Sequence, residues 1–113
     1  MQNDRLSKLM EFLEADAADP FILYAIATEY NTNGDNENAL SYYLRLTSEH
    51  PDYVGTYYHL GKLYEKVGAR EQAVSTYQTG MQKAQMKRDM HALSELRAAF
   101  QELTGWDDEE DDD

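Results

Sequence analysis

Residues 57–80 read YYHLGKLYEKVGAREQAVSTYQTG, and this stretch decides the fold. Large residues, small residues and glycines occupy fixed places in it, and residues of the same kinds occur 34 positions earlier. The matched pairs are Ala27 with Gly61, Tyr30 with Tyr64, Gly34 with Gly68, Ala39 with Ala73, and Tyr43 with Tyr77. Self-similarity at a period of about 34 residues indicates stacked helical hairpins.

The small residues predict where the two helices of each hairpin come closest. Gly61 is expected to face Ala73, and Ala27 to face Ala39, because backbones approach closely only where side chains are short. Large residues at helical spacing around each small one share a helix face and would fill the groove beside the contact. In chain order these are Leu23, Ile26, Tyr30, Tyr57, Leu60 and Tyr64.

This pattern resembles the tetratricopeptide repeat family over two full repeats, from Asp19 to about Gln85. The resemblance implies an all-α fold, a right-handed α-solenoid of antiparallel helix hairpins with about six helices. It also implies a non-catalytic protein that binds a protein or peptide in the concave groove lined by the first helix of each repeat. Leu46 departs from the family pattern, which has a small residue there, and Gln85 replaces a closing proline.

Apolar residues at helical spacing predict a further helix at each end of the chain. A terminal repeat has one unburied face, and a terminal helix can cover it. The N-terminal stripe is Leu6, Leu9, Met10 and Leu13, with Phe12 as a further candidate, and the C-terminal stripe is Met90, Leu93, Leu96, Phe100 and Leu103.

Helix-start signals divide the chain into segments of a single domain. Asp19 and Pro20 combine a helix cap with a proline at the first helical position, and Asp89 caps the last helix. Trp106 is expected to fold back on that helix. The expected segments are a covering helix at 1–18, repeats at 19–52 and 53–87, a capping helix at 88–105 and a disordered acidic tail at 106–113.

Composition excludes several classes of function. The 113 residues suit one domain, and the absence of cysteine excludes disulfides and thiolate metal sites. Removing the seven acids from Asp107 to Asp113 from the formal charge of −12 leaves −5. Nucleic-acid binding is therefore not expected, because it depends on Lys and Arg. No apolar run approaches the ~20 residues of a membrane span, and no signal peptide is evident, so the default expectation is a cytoplasmic location without membrane association.

The sequence lacks the usual motifs of catalysis. It has no His-Glu-x-x-His, no glycine-rich phosphate loop and no cysteine nucleophile. Its histidines are His50, His59 and His91, and no third metal ligand stands at a predictable spacing from them. The sequence therefore predicts no enzyme, no metal site and no cofactor.

Tyrosines indicate a candidate binding groove. Tyr24 and Tyr58 match at the 34-residue offset but stand one residue beyond the core positions, a rotation of about 100° around the helix. That rotation turns them toward the face expected to line a groove, although ordinary solvent-facing residues are an equally open interpretation. The candidate peptide-binding residues are Tyr24, Thr28, Asn31, Tyr58, His59, Lys62, Lys66, His91 and Ser94.

Two lysines indicate what kind of partner the groove would bind. Tyr58, Lys62 and Lys66 lie at helical spacing, so the lysines would form a local positive strip on an acidic protein. Such a strip favours an acidic or C-terminal peptide segment as the partner, and the acidic tail itself could compete for it. The alternative function is a self-assembly scaffold, such as a homodimer, that forms through an exposed helix face.

Overall fold

The computed structural model describes residues 4–105, which form six α-helices and contain no β-strand. The helices are α1 (Asp4–Ala15), α2 (Pro20–Thr32), α3 (Asn36–Glu49), α4 (Gly55–Lys66), α5 (Arg70–Met86) and α6 (Met90–Thr104). The predicted all-α class with about six helices is confirmed. The expectations for Trp106 and for the acidic tail concern residues outside the described range.

Aspartates cap three of the helices as local chemistry requires. The side chain of Asp19 accepts a hydrogen bond from the backbone N–H of Phe21 at 2.9 Å, and Pro20 occupies the first helical position. Asp35 begins α3 and Asp89 begins α6 in the same manner, through bonds of 3.2 and 3.0 Å. Each cap satisfies one of the backbone N–H groups that a helix start leaves without a partner.

Glycines terminate the first helix of each repeat. Gly34 and Gly68 have φ angles of 83° and 82°, in the left-handed region. After Gly68, the backbone N–H of Ala69 donates to the carbonyl of Tyr64 at 2.8 Å, and an equivalent bond of 2.9 Å closes α2 after Gly34. This is the helix ending in which glycine relieves the strain of a left-handed residue.

The described residues divide into two compact units, with the boundary between Thr56 and Tyr57. In the first unit α2 packs against α3, and α1 packs against α2. Arg5 of α1 forms an ion pair of 3.0 Å with Glu29, although no side chain of α1 is fully buried. The core of this unit consists of Leu23, Ile26, Ala27, Ala39, Tyr43 and Leu46, all without solvent exposure.

Close approach in the second unit depends on glycines that face aromatic side chains. A Cβ added at Gly61 would lie 2.7 Å from two carbons of the Tyr77 ring, and one added at Gly80 would lie 2.5 Å from the Cβ of Tyr57. The three atoms nearest to the added Cβ of Gly61 all belong to the ring of Tyr77, a contact that the sequence did not predict. The reason is that long side chains in a helix point back toward its N-terminus, so Tyr77 covers the surface one turn before its own Cα.

The core of the second unit is made from all three of its helices. One predicted member of the α6 stripe is wrong: Met90 is 58% exposed. It is the first residue of α6, and the buried face of that helix begins one turn later, at Leu93. The buried hydrophobic residues are Tyr57, Leu60, Leu63, Ala73, Tyr77, Ala84, Leu93, Leu96 and Ala99.

Candidate functional site

An open cavity of about 460 Å³ lies between α4 and α6 in the second unit. This volume is within the range of about 300–1,000 Å³ that is usual for binding pockets. One wall comes from Tyr58 and Lys62 of α4, the residues that the sequence placed at the centre of its groove. The opposite wall comes from α6, and the complete lining is Tyr58, Lys62, Glu95, Ala98, Ala99, Gln101 and Glu102.

The ammonium group of Lys62 is the cation of this cavity. Its Nζ lies 5.7 Å from the centroid of the Tyr58 ring, within the range of a cation–π contact. The same Nζ lies 3.9 Å from a carboxylate oxygen of Glu102, whose side chain is 80% exposed. An ion pair that is so exposed contributes about 0–1 kcal/mol, so Lys62 can exchange this partner for another carboxylate.

Carboxylates limit how positive the cavity is. Glu95 and Glu102 both line it, against the single ammonium group of Lys62. Lys66, one turn further along α4, is exposed and is not part of the lining. The continuous positive strip that the sequence predicted is therefore reduced to one cationic point beside an aromatic ring.

His59 is half-buried next to this cavity. Burial lowers the pKa of its imidazole below the ordinary value, and the nearby carboxylate of Glu95 offsets part of that effect. Its ring lies edge-on to Tyr58, with 5.4 Å between the centroids. A histidine of this kind is neutral at pH 7, so it offers a hydrogen-bonding group instead of a positive charge.

The two candidates on α6 lie outside the cavity lining. His91 is exposed, and its Nε2 lies 3.4 Å from Glu95, one helical turn further along. Ser94 is also exposed on α6. The face of α6 that lines the cavity instead presents Glu95, Ala98 and Glu102, at the i, i+3 and i+7 positions of one helix stripe.

The candidates of the first unit contact its interior. Tyr24 is half-buried, with ring centroids 6.5 Å from Tyr43 and 5.8 Å from Tyr53. The hydroxyl of Thr28 lies 3.1 Å from the hydroxyl of Tyr43. Burial raises the pKa of Tyr43, and hydrogen bonds from Thr28 and Asn31 offset part of the rise. Tyr24, Thr28 and Asn31 thus hold the aromatic cluster around Tyr43 in place.

The second unit contains an equivalent hydrogen bond. The hydroxyl of Tyr77 donates to the carboxylate of Glu65, and these residues stand 34 positions after Tyr43 and Asn31. Burial raises the pKa of Tyr77, and the hydrogen bond to Glu65 and its charge raise it further. In both repeats a polar side chain near the end of the first helix therefore satisfies a tyrosine of the second helix.

Sequence reasoning placed His91 and Ser94 of α6 at the groove and missed the residues of α6 that line the cavity. It otherwise identified α6 only by its apolar stripe. The signal that could have found Glu95, Ala98 and Glu102 is their common stripe, displaced from Leu93 and Leu96 around the same helix. Within residues 4–105 no group of three or more potential ligands is placed to hold a metal ion. No helix in the same range is long and apolar enough to span a membrane.

Two consecutive segments, residues 22–53 and 54–82, match the model of the tetratricopeptide repeat. The chain belongs to the tetratricopeptide repeat family. This resemblance was expected from residues 57–80 and is confirmed. A fold of this family supports a general role as a protein–protein interaction module, and its members are generally non-catalytic. Among proteins with curated functions, none matches this tetratricopeptide repeat protein.

Solved structures show the same fold. A tetratricopeptide repeat domain protein from Salinibacter ruber is 41% identical, with a TM-score of 0.74 over 77% of this chain. The match covers 88% of that protein in its solution NMR structure and 97% in its crystal structure. A protein from Bordetella parapertussis has a TM-score of 0.79 and is 21% identical, over 95% of this chain and 92% of its own. At that identity the likeness concerns the fold alone.

Proposed function

We propose that this tetratricopeptide repeat protein binds a peptide or helical segment of a protein partner on the surface around the Tyr58–Lys62 cavity. The observation that carries the proposal is the cavity between α4 and α6, in which a half-buried tyrosine lies beside a weakly paired lysine. Aromatic and cationic side chains at a concave surface are the groups that dominate binding energy in protein interfaces. A binding role requires only these contact groups and no nucleophile, general base or metal.

The ligand is a segment that ends in a free carboxylate. Lys62 offers one ammonium group, and its present partner Glu102 is exposed enough to be displaced. Glu95 and Glu102 would repel a run of acidic residues, whereas a single terminal carboxylate matches the single cation. The carboxylates can then accept hydrogen bonds from N–H groups of the ligand. This refines the partner expected from the sequence, an acidic or C-terminal segment.

Fluorescence polarisation with labelled peptides tests this proposal. A library of short peptides with free C-termini is compared with the same peptides amidated at the C-terminus. We expect the parent protein to bind a subset of the free acids, to bind the amides at least about tenfold more weakly, and to bind less as salt rises. Lys62→Ala should remove the difference between acids and amides. Lys66→Ala, which removes a neighbouring lysine outside the cavity, is the matched control.

Two results would contradict the proposal. One is equal loss of binding in Lys62→Ala and Lys66→Ala, which would assign the effect to net charge. The other is a preference for basic peptides or no preference between acid and amide, which would mean that the carboxylates of Glu95 and Glu102 select the ligand. Far-UV circular dichroism of each variant shows that the helices are retained.

Self-assembly is a second candidate function, and two exposed aromatic side chains favour it. Phe12 of α1 is 56% exposed and Phe21 of α2 is 63% exposed. An exposed apolar patch commonly marks a protein–protein interface, and symmetric pairing of two copies would bury both rings. If the rings are buried in this way, light scattering should give a dimer mass across micromolar concentrations, and Phe21→Glu should give the monomer mass. A parent protein that is monomeric throughout that range would exclude this candidate.

A further inference from the structure

A second cavity, of about 160 Å³, lies on the other side of α6. It is lined by Met81 of α5 and by Arg97, Phe100 and Gln101 of α6. Met81 and Phe100 supply an apolar wall and are only half-buried, so the cavity is incompletely covered. An apolar cavity of about 150 Å³ can hold a benzene ring. The volume therefore suits one aromatic side chain.

The last turns of α6 line this cavity. Helix α6 ends at Thr104, and Gly105 follows in the left-handed region with φ of 66°. The N–H of Gly105 donates to the carbonyl of Gln101 at 2.8 Å. Helices that end on a left-handed glycine frequently place the next residue against the residues of their last turn. Here the next residue is Trp106, and the last turn contains Phe100 and Gln101.

Distance and charge also favour contact between the residues after Gly105 and this cavity. Phe100 and Gly105 are five residues apart, a rise of about 7.5 Å along a helix, so an indole at position 106 has little distance to cover. Seven acidic residues, Asp107 to Asp113, follow Trp106. Arg97 forms no ion pair with any residue in the range 4–105. A guanidinium group at the rim of an apolar cavity is complementary to an aromatic residue followed by carboxylates.

We propose that the C-terminal segment docks on this cavity, with the indole of Trp106 against Met81 and Phe100 and the first acidic residues beside Arg97. The alternative expected from the sequence is that the acidic tail occupies the strip around Lys62. Gln101 lines both cavities, so a chain that leaves α6 at Gly105 can turn to either side of the helix. Docking at Arg97 leaves the Tyr58–Lys62 cavity open to its ligand, whereas docking at Lys62 would block it. The inference is independent of whether that ligand is a peptide.

Fluorescence of the full chain tests the proposal directly, because Trp106 is the single tryptophan of the protein. We expect the emission maximum of the native protein to be shifted to the blue of that in concentrated urea, with reduced quenching by acrylamide. Arg97→Glu reverses the charge beside the acids and should move emission and quenching toward the values of the unfolded chain. Arg97→Ala should move both in the same direction by a smaller amount.

Two charge-matched variants serve as controls. Lys8→Glu makes the same change of net charge on α1, in the other unit, and should leave the emission of Trp106 unchanged. Lys62→Glu reverses the charge in the first cavity and should also leave the emission unchanged. Far-UV circular dichroism verifies that each variant keeps its helices, so that a change of emission reports on docking and not on unfolding.

Three results would overturn the inference. If the native emission equals that of the unfolded chain, Trp106 lies in solvent. If Lys62→Glu shifts the emission and Arg97→Glu does not, the segment occupies the other cavity. If the tryptophan is shielded but none of the variants affects it, it packs at a place that these charges do not control.

Discussion

The ring of Tyr77 occupies the space that a side chain at position 61 would need. A Cβ on Gly61 would lie 2.7 Å from both Cδ1 and Cζ of that ring, closer than real Cβ contacts allow. The ring is fully buried, and its hydroxyl is bonded to Glu65, so it cannot move aside without losing that bond. Glycine at position 61 is therefore the means by which α4 and α5 approach each other.

Gly61→Ala should consequently destabilise the protein although alanine favours helices. Overpacking of a tight core typically costs about 1–3 kcal/mol, and we expect a lower free energy of unfolding by that amount in urea titrations. Gly61→Leu should lose more. The matched control is Gly55→Ala, because a Cβ at Gly55 meets nothing within 4 Å. Equal stability of Gly61→Ala and Gly55→Ala would show that the ring yields freely.

Gly80 makes a different kind of contact and supports a second prediction. A Cβ on Gly80 would lie 2.5 Å from the Cβ of Tyr57 and 3.1 Å from Cδ1 of Leu96. The Cβ of Tyr57 is bonded directly to the backbone, so relief requires a shift of α4 or α5. We expect Gly80→Ala to destabilise the protein at least as much as Gly61→Ala does.

A double variant tests the cause of that loss. Tyr57→Ala keeps the obstructing Cβ and, of the two nearby Tyr57 atoms, removes only the more distant Cγ, so it should relieve a small part of the loss in Gly80→Ala, and the coupling between these two contacting positions should stay near the low end of the usual range of about 0.5–3 kcal/mol. The measurement is a double-mutant cycle of unfolding free energies. Recovery of stability in the double variant would instead identify the Tyr57 ring as the obstacle.

The hydrogen bond between Tyr77 and Glu65 supports a third prediction, about alkaline pH. Burial, followed by the hydrogen bond and charge of Glu65, raises the pKa of Tyr77 above its ordinary value. The folded state therefore holds the phenol proton more tightly than the unfolded state does. The resulting stability is fully present below pH ~10, where unfolded tyrosine ionises, and declines as pH rises above it.

Tyr77→Phe should lower the free energy of unfolding at pH 7 by about 1–3 kcal/mol, because a bond to a charged group is lost. It should also reduce the decline of stability above pH 10. The decline should not vanish, because burial also raises the pKa of Tyr43. Urea titrations from pH 7 to 11 measure both effects. A parent and a variant with the same alkaline slope would contradict the prediction.

The repeat, the helices and most of the core could be predicted from the sequence, because they depend on periodic features. Gly34 and Gly68 end helices by backbone conformation alone, and Asp19 caps α2 through a local hydrogen bond. The sequence within a few residues is therefore enough to identify these helix ends. Leu23 and Ile26 are buried because helical spacing places them on one face. These are properties of single helices.

The candidate site was less predictable because it depends on contacts between helices. The sequence placed Tyr24, Thr28 and Asn31 on a groove, and their contacts with the Tyr43 cluster become visible only when α2 and α3 are paired. The ion pair between Lys62 and Glu102 could not be predicted for the same reason, since Glu102 stands 40 residues later in the sequence. Spacing within one helix cannot indicate which residues of another helix lie opposite.

The turn between α5 and α6 contains the one non-glycine residue with positive φ in the described part of the chain, Arg88 at 58°. Its neighbour Asp89 donates its N–H to the carbonyl of Ala84 at 2.9 Å, the arrangement that glycine closes at Gly34 and Gly68. A left-handed conformation costs an ordinary residue about 1–2 kcal/mol. Arginine therefore bears at this turn a strain that the two earlier turns avoid.

Arg88→Gly should stabilise the protein. Glycine removes the backbone strain in the folded state, but it also increases the conformational entropy of the unfolded chain. The net increase in the free energy of unfolding is therefore at most about 1 kcal/mol. Gly68→Ala, the reverse change at an equivalent turn, should destabilise the protein by a comparable amount, since nothing near its Cβ position interferes. Thermal unfolding of both variants should be compared with that of Arg88→Ala. Alanine removes the guanidinium but keeps the backbone strain, so the comparison separates the two effects. If Arg88→Ala gains as much as Arg88→Gly, the benefit comes from charge and the strain at this turn is negligible.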